Sequence, residues 1–270
     1  MRWNFLKAAS RENVARVWRR ESDGMLDLVA DPARWEAPTG AGGWQARDVI
    51  GHLVDTTEAY FDSFAAARGT GTVPDPLGLA DMARHVDDGA LALRAMPRAE
   101  LLDRLRAARE RMFGIASGLT DEEWGSLLVP HKYMGPLPAA FYPIFQVVDY
   151  TVHSWDLREG SGRSHGLDGE AADLLVPLCF ILWQNTCAVD GVEPFTLGVR
   201  ITSGAHAGGT RVAVTGDGMS YTPGAVDDLP DVIEFDPASF VLTAYGRVNA
   251  GTYRGDRRLL DRFCNLFFRI

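Results

Sequence analysis

From Val14 to Trp155 apolar side chains recur every three to four positions, and from Phe195 to Ile201 and again at Val212 and Val214 they recur at every second position. That change of period constrains the fold more than any other feature, because helices and strands bury different residue sets. Val14, Val17, Trp18, Met25 and Leu28 mark a first helix from about Ser10 to Ala30, with Ser10 as N-cap and Asp31-Pro32 as its stop. After a Pro/Gly-rich turn from Pro38 to Gly43, Trp44 leads into a second helix striped by Val49, Leu53, Thr57, Tyr60 and Phe64 and ending near Gly69. Two helical patterns follow, Leu79 to about Ala95 and Ala99 to Leu119, separated by Pro97. Thr120-Asp-Glu-Glu123 starts another helix, Val129 to Pro138 reads as loop, and a long helix then carries Ile144, Phe145, Val148, Val152 and Trp155. Gly160 is the expected left-handed stop of that helix.

Asp168 to Val189 is an apolar helix with an expected interruption at Pro177. Phe195, Leu197, Val199 and Ile201 then alternate, as do Val212 and Val214 before the turn Asp217-Gly218. Val232 to Phe235 forms a short strand running into Asp236-Pro237, an N-cap with proline at the first helical position. The stretch from Gly255-Asp256 to Phe268 is helical. The expectation is an α+β protein of two domains, a helical bundle over residues 1–165 and a small α+β domain over residues 166–270.

Composition excludes several functions. A net charge of −9 without a basic stripe argues against a nucleic-acid groove. No apolar run approaches the roughly 20 residues that cross a bilayer, and the first residues show no apolar secretory core. A cytoplasmic protein, monomer or homodimer, acting on a small molecule is expected. Cys179, Cys187 and Cys264 are too scattered for a disulfide framework and read as buried thiols. His85, His165 and His206 read as surface or loop residues. Phosphate loops, dinucleotide fingerprints, H-E-x-x-H and G-x-S-x-G are not found.

The chemistry concentrates on the long helix. Tyr142, Gln146, Asp149, His153 and Asp156 fall within roughly 80° of arc on a helical wheel, beside the apolar face. A polar stripe in that position suits a helix lining an internal pocket. Asp149 and His153 stand one turn apart, a metal-ligand spacing, but a divalent cation needs a further donor from another element. His52, about 120° from the centre of the second helix's apolar stripe, is the candidate. Asp156, one turn beyond His153, suits an acceptor orienting that imidazole, or a loop contact near the helix end. Tyr142, Gln146 and His131 are candidates to line the pocket, against a plainer reading as loop or interface residues.

Trp44-Gln-Ala-Arg-Asp-Val-Ile-Gly-His52-Leu and the later Asp149-Tyr-Thr-Val-His153-Ser-Trp-Asp156-Leu together resemble the DinB-like four-helix-bundle superfamily, and within it the mycothiol-dependent maleylpyruvate isomerase family. Ser239-Phe240 through Tyr245-Gly246-Arg247 and Gly255-Asp256 are similar to that family's C-terminal α+β domain. The resemblance implies a metal triad of His52, Asp149 and His153, an active-site arginine at Arg247, and mycothiol as thiol co-substrate. It departs at Asp149, where the family usually has the longer glutamate.

Two imidazoles and one carboxylate leave a tetrahedral zinc, or another divalent cation, with an open position. A thiol entering it is deprotonated, giving a nucleophile for transfer to, or isomerisation of, a small electrophile. Arg247 suits a carboxylate on substrate or thiol, or a plain salt bridge. Two other readings remain open. One is a non-catalytic ligand-binding or interaction protein whose metal site is altered at Asp149; the other, ranked third, is a non-haem Fe(II) enzyme using the same ligand set.

Overall fold

The computed structural model describes residues 4–162 and 165–268. The chain divides into two compact units, Asn4–Gly166 and a second beginning at Leu167. The first contains α1 (Arg11–Leu28), α2 (Ala46–Ala67), α3 (Leu79–Leu93), α4 (Arg98–Ser117), the short α5 (Asp121–Ser126), a ribbon of β1 (Leu128–Val129) with β2 (Leu137–Pro138), and α6 (Phe141–Glu159). α6 packs along α1, and α2 packs against α3, α4 and α6. The apolar stripes are the buried faces: Val14, Val17, Trp18 and Met25 of α1, and Val49, Leu53, Tyr60 and Phe64 of α2.

α6 is buried on every side. From Phe141 to Asp156 only Asp149 keeps intermediate exposure, the pattern of a central helix. The polar stripe therefore lies inside the unit. The start of α2 is pinned with similar care. Gln45 and Asp48 form a capping box, and Arg94 forks onto the fully buried Asp48 at 2.7 Å through both Nε and Nη2. Burial pushes the Asp48 carboxyl up, but the bonds from Arg94 and from the Gln45 N–H outweigh it and hold it below the usual range.

Several expectations are corrected. Ser10 does not cap α1 through its side chain; a 3-10 turn, Ala8–Ser10, precedes the helix and the Ser10 hydroxyl donates to the Asn4 carbonyl at 2.7 Å. The segment expected as loop is the β1–β2 ribbon, its turn closed by reciprocal backbone bonds between His131 and Gly135 at 3.0 and 3.2 Å. Gly160 is right-handed, φ −60°, and the left-handed residue is Gly162, φ 66°. Glycine is needed at 160 for a different reason: a Cβ there would overlap the Pro38 carbonyl oxygen. The Pro38–Gly40 segment lies across the end of α6, with the Gly40 N–H donating to the Asp156 carbonyl at 2.8 Å.

The second unit contains α7 (Gly169–Thr186), β3 (Phe195–Ile201), β4 (Gly208–Thr215), β5 (Gly218–Pro223), β6 (Val232–Phe235), α8 (Pro237–Ala244), β7 (Thr252–Arg254) and α9 (Arg257–Cys264). Its sheet runs β5-β4-β3-β6-β7, antiparallel except for the parallel β3–β6 pair. Leu197, Val199 and Ile201 of β3 and Val212 and Val214 of β4 are buried, as their alternation requires. Trp183 and Phe180 of α7 pack on Phe240 of α8 at 4.9 and 4.8 Å between ring centroids. α7 is not interrupted at Pro177; buried Leu174, Leu175, Leu178 and Cys179 on either side hold the helix through the missing N–H. No helix among the described residues is long and apolar enough to cross a membrane.

The contrast between the two glycines is measurable. Gly160→Ala is expected to cost about 3 kcal/mol through overpacking, against about 1 kcal/mol for the left-handed but open position in Gly162→Ala. Urea unfolding of both variants checks the order. If Gly162→Ala is the more damaging, contact with Pro38 is not what excludes a side chain at 160.

Candidate functional site

α2 and α6 bring His52, Asp149 and His153 together. One ligand atom from each lies within 4.8 Å of the other two. A tetrahedral cation with bonds of about 2.1 Å holds its donors about 3.4 Å apart, so small side-chain rotations close the set. His153 is already oriented. Its Nδ1 lies 2.8 Å from Oδ2 of Asp156, which is fully buried. A carboxylate accepts only, so Nδ1 carries the proton and the Nε2 lone pair is the one available to a metal.

Asp149 is the least satisfied member. Its Oδ2 is buried without a hydrogen-bond partner. Burial pushes its carboxyl up to about 6, with the His153 imidazole pulling the other way. A buried carboxylate oxygen lacking a donor, facing two imidazoles, matches the chemistry of a divalent cation site. The shorter aspartate therefore still reaches the cluster.

The other sequence candidates separate. Tyr142 is fully buried, and its hydroxyl lies 3.0 and 2.6 Å from the Val129 and Pro130 carbonyls, so it ties α6 to the ribbon. Gln146 is fully buried; its Oε1 accepts from the Thr57 hydroxyl at 3.2 Å, while Nε2 has no partner. His131 accepts from the Tyr133 and Met134 N–H groups at Nδ1, at 3.2 and 3.3 Å, which puts its proton on Nε2. Burial pushes it down to about 4, so it is neutral at physiological pH. Arg247 belongs to the second unit, where Nη1 donates to the Tyr245 carbonyl at 2.9 Å. The three cysteines are free thiols, and burial pushes each of them up, away from nucleophilic use.

Sequence reasoning did not single out Trp44 as part of the site. Its indole centroid lies 5.1 Å from His52 and 5.7 Å from His153. The available signal was its position just before the helix that carries His52.

The profile of the mycothiol maleylpyruvate isomerase N-terminal domain matches residues 18–158, more than half of the chain. The chain belongs to that family. Two uncharacterized proteins of Mycobacterium tuberculosis, MT0041 of strain CDC 1551 / Oshkosh and Rv0036c of strain ATCC 25618 / H37Rv, are 31% identical to it over 151 residues. The match covers 53% of this chain and 54% of theirs, so it spans about half the length of these curated relatives. Crystal structures of the mycothiol-dependent maleylpyruvate isomerase, one of them a histidine-to-alanine mutant, superpose with a TM-score of 0.58 at 14% identity. They cover 90% of this chain and 92% of theirs. That likeness is one of fold: a helical N-terminal region followed by a sheet-containing domain.

The Asp149 environment gives a signed expectation. Its folded carboxyl titrates near 6 rather than the ordinary 3.8, so the folded state holds the proton more tightly and metal-free stability falls as pH rises between those values. Asp149→Asn should stabilise the metal-free protein at pH 8 by about 1–2 kcal/mol, discounted for partial exposure, with the gain vanishing near pH 4. Urea unfolding in chelator at both pH values checks it. A destabilised variant at pH 8 contradicts the orphaned carboxylate.

Proposed function

We propose that this protein is an enzyme that uses a divalent cation, zinc for preference, held by His52, Asp149 and His153, to activate a low-molecular-weight thiol of the mycothiol type. The thiol is transferred to, or isomerises, a small electrophile. The observation that carries this reading is the convergence of two imidazoles with a buried, unpartnered Asp149 oxygen. Membership of the mycothiol maleylpyruvate isomerase N-terminal domain family supports the choice of thiol. Such a cation supplies Lewis acidity that brings the thiol to its thiolate form at neutral pH.

The chain's own residues do the rest. Asp156 keeps the His153 proton on Nδ1 and so directs Nε2 toward the site. Asp149 contributes the negative charge that two neutral imidazoles lack. His131, neutral and with its proton on Nε2, suits a hydrogen-bond donor to the thiol's carrier group, as does the Gln146 amide. Tyr142 is a wall residue whose hydroxyl keeps the ribbon against α6. Arg247 suits a carboxylate by its guanidinium chemistry. In this reading residues 1–165 form the metal-binding domain, residues 166–270 the accessory one, and the reaction belongs to the cytoplasm, where free thiols such as Cys179 persist.

Metal analysis of protein purified without chelator should find about one zinc per chain. His52→Ala, Asp149→Ala and His153→Ala should each lower zinc affinity by more than the roughly 10–100-fold typical of outer-shell changes. In calorimetry the zinc-loaded protein should bind mycothiol in preference to other small thiols, and His52→Ala should lose that binding. A metal-free protein whose thiol binding is unchanged by His52→Ala rejects the reading, and iron with oxygen-dependent turnover replaces it with an oxygenase.

A further inference from the structure

Trp44 touches both candidate histidine ligands at once. Its indole is tilted 48° against the His52 ring and stacked at 29° on His153. The two imidazoles stand 5.1 Å apart, edge to face at 75°. Three rings thus close a triangle, and Trp44 is only 8% exposed. Neither imidazole can rotate toward the indole without displacing a packed side chain.

The indole is held from two directions. Its Nε1–H donates to Oδ1 of Asp87 on α3 at 2.8 Å. Its backbone carbonyl accepts from the Thr39 N–H at 3.1 Å and the Thr39 hydroxyl at 3.0 Å. The next residue of that loop, Gly40, donates its N–H to the Asp156 carbonyl at 2.8 Å, and the carboxylate of Asp156 orients His153. The loop that carries the indole is therefore clipped to the residue that sets one ligand's tautomer. A tryptophan that merely filled space would gain little from a charged, exposed acceptor; a hydrogen bond from Nε1 instead selects one of the two flips of the ring.

We infer that Trp44 is a positioning residue for the His52–His153 pair and that Asp87, across on α3, fixes the indole for that task. The inference deepens the metal reading and rests on it for its purpose, though the restraint on the rings is a property of the metal-free protein as well. Trp44→Leu removes the aromatic faces and keeps bulk. Trp44→Phe keeps a ring and loses the donor. Asp87→Ala removes the acceptor from an exposed position, where folding is not at stake, and Asp87→Asn keeps a carbonyl acceptor in its place.

Two measurements test it, with far-UV circular dichroism confirming that each variant is folded. In metal-free protein, diethyl pyrocarbonate modification of His52 and His153, read by peptide mass spectrometry, should accelerate about fivefold in Trp44→Leu and Asp87→Ala, the factor for one lost hydrogen bond. Zinc titration should show affinity lowered about 10–100-fold in Trp44→Leu. It should fall by a smaller factor in Trp44→Phe and Asp87→Ala, with Asp87→Asn restored to the wild-type value. Wild-type ring reactivity and zinc affinity in both Trp44→Leu and Asp87→Ala overturn the inference. If wild type takes up no zinc while ring protection still depends on Trp44 and Asp87, the positioning role stands and the metal reading falls.

Discussion

The buried carboxylate of Asp156 is the constraint on which the first unit depends. It has no exposure, so its charge is tolerable only where donors surround it. The His153 Nδ1–H is one, and that bond determines which imidazole nitrogen is left for the site. Its backbone carbonyl takes the Gly40 N–H, which draws the Pro38–Gly40 segment over the end of α6 so closely that residue 160 must lack a side chain. One residue thereby couples the tautomer of His153, a loop's path and a helix end.

α2 is secured independently. The Arg94 fork on Asp48 and the capping box with Gln45 lock the first turn, and His52 stands one turn further along the same face. α2 and α6 are thus each fixed by a buried aspartate close to the imidazole they present. Between them Asp149 is left without a donor on Oδ2. Groups that are satisfied hold the frame, and the group that is not marks where a ligand's charge would be stabilising. This division is expected of sites whose function opposes local stability.

Much of this was legible in the residues. The switch from a 3.6-residue to a 2-residue period separates helices from strands, and Thr120-Glu123 and Asp236-Pro237 start helices where cap chemistry places them. The wheel positions of Asp149, His153 and Asp156 follow from helix geometry alone. Other features were not legible because they depend on what approaches from elsewhere. Gly160 carries the composition of a left-handed stop yet is right-handed, since Pro38 comes from more than a hundred residues away. β5 and β7 lack clean alternation at the two sheet edges, where only one neighbour dictates pattern. Tyr142 shares the polar stripe, but its hydroxyl is committed to two carbonyls that local spacing does not reveal.

By itself the sequence determined a helical first half and a mixed helix-and-strand second half, the one-turn spacing of Asp149 and His153, and the presence of a carboxylate one further turn along. Periodicity and capping are local, and local rules are written in consecutive residues. Tertiary structure alone decided that His52 meets that pair, that Trp44 is pinned by Asp87 against both imidazoles, and that Asp149 is desolvated enough to titrate near 6. Those outcomes depend on the packing of α2, α3 and α6, because desolvation and ring contact are set by the atoms surrounding a group and not by its neighbours in the chain.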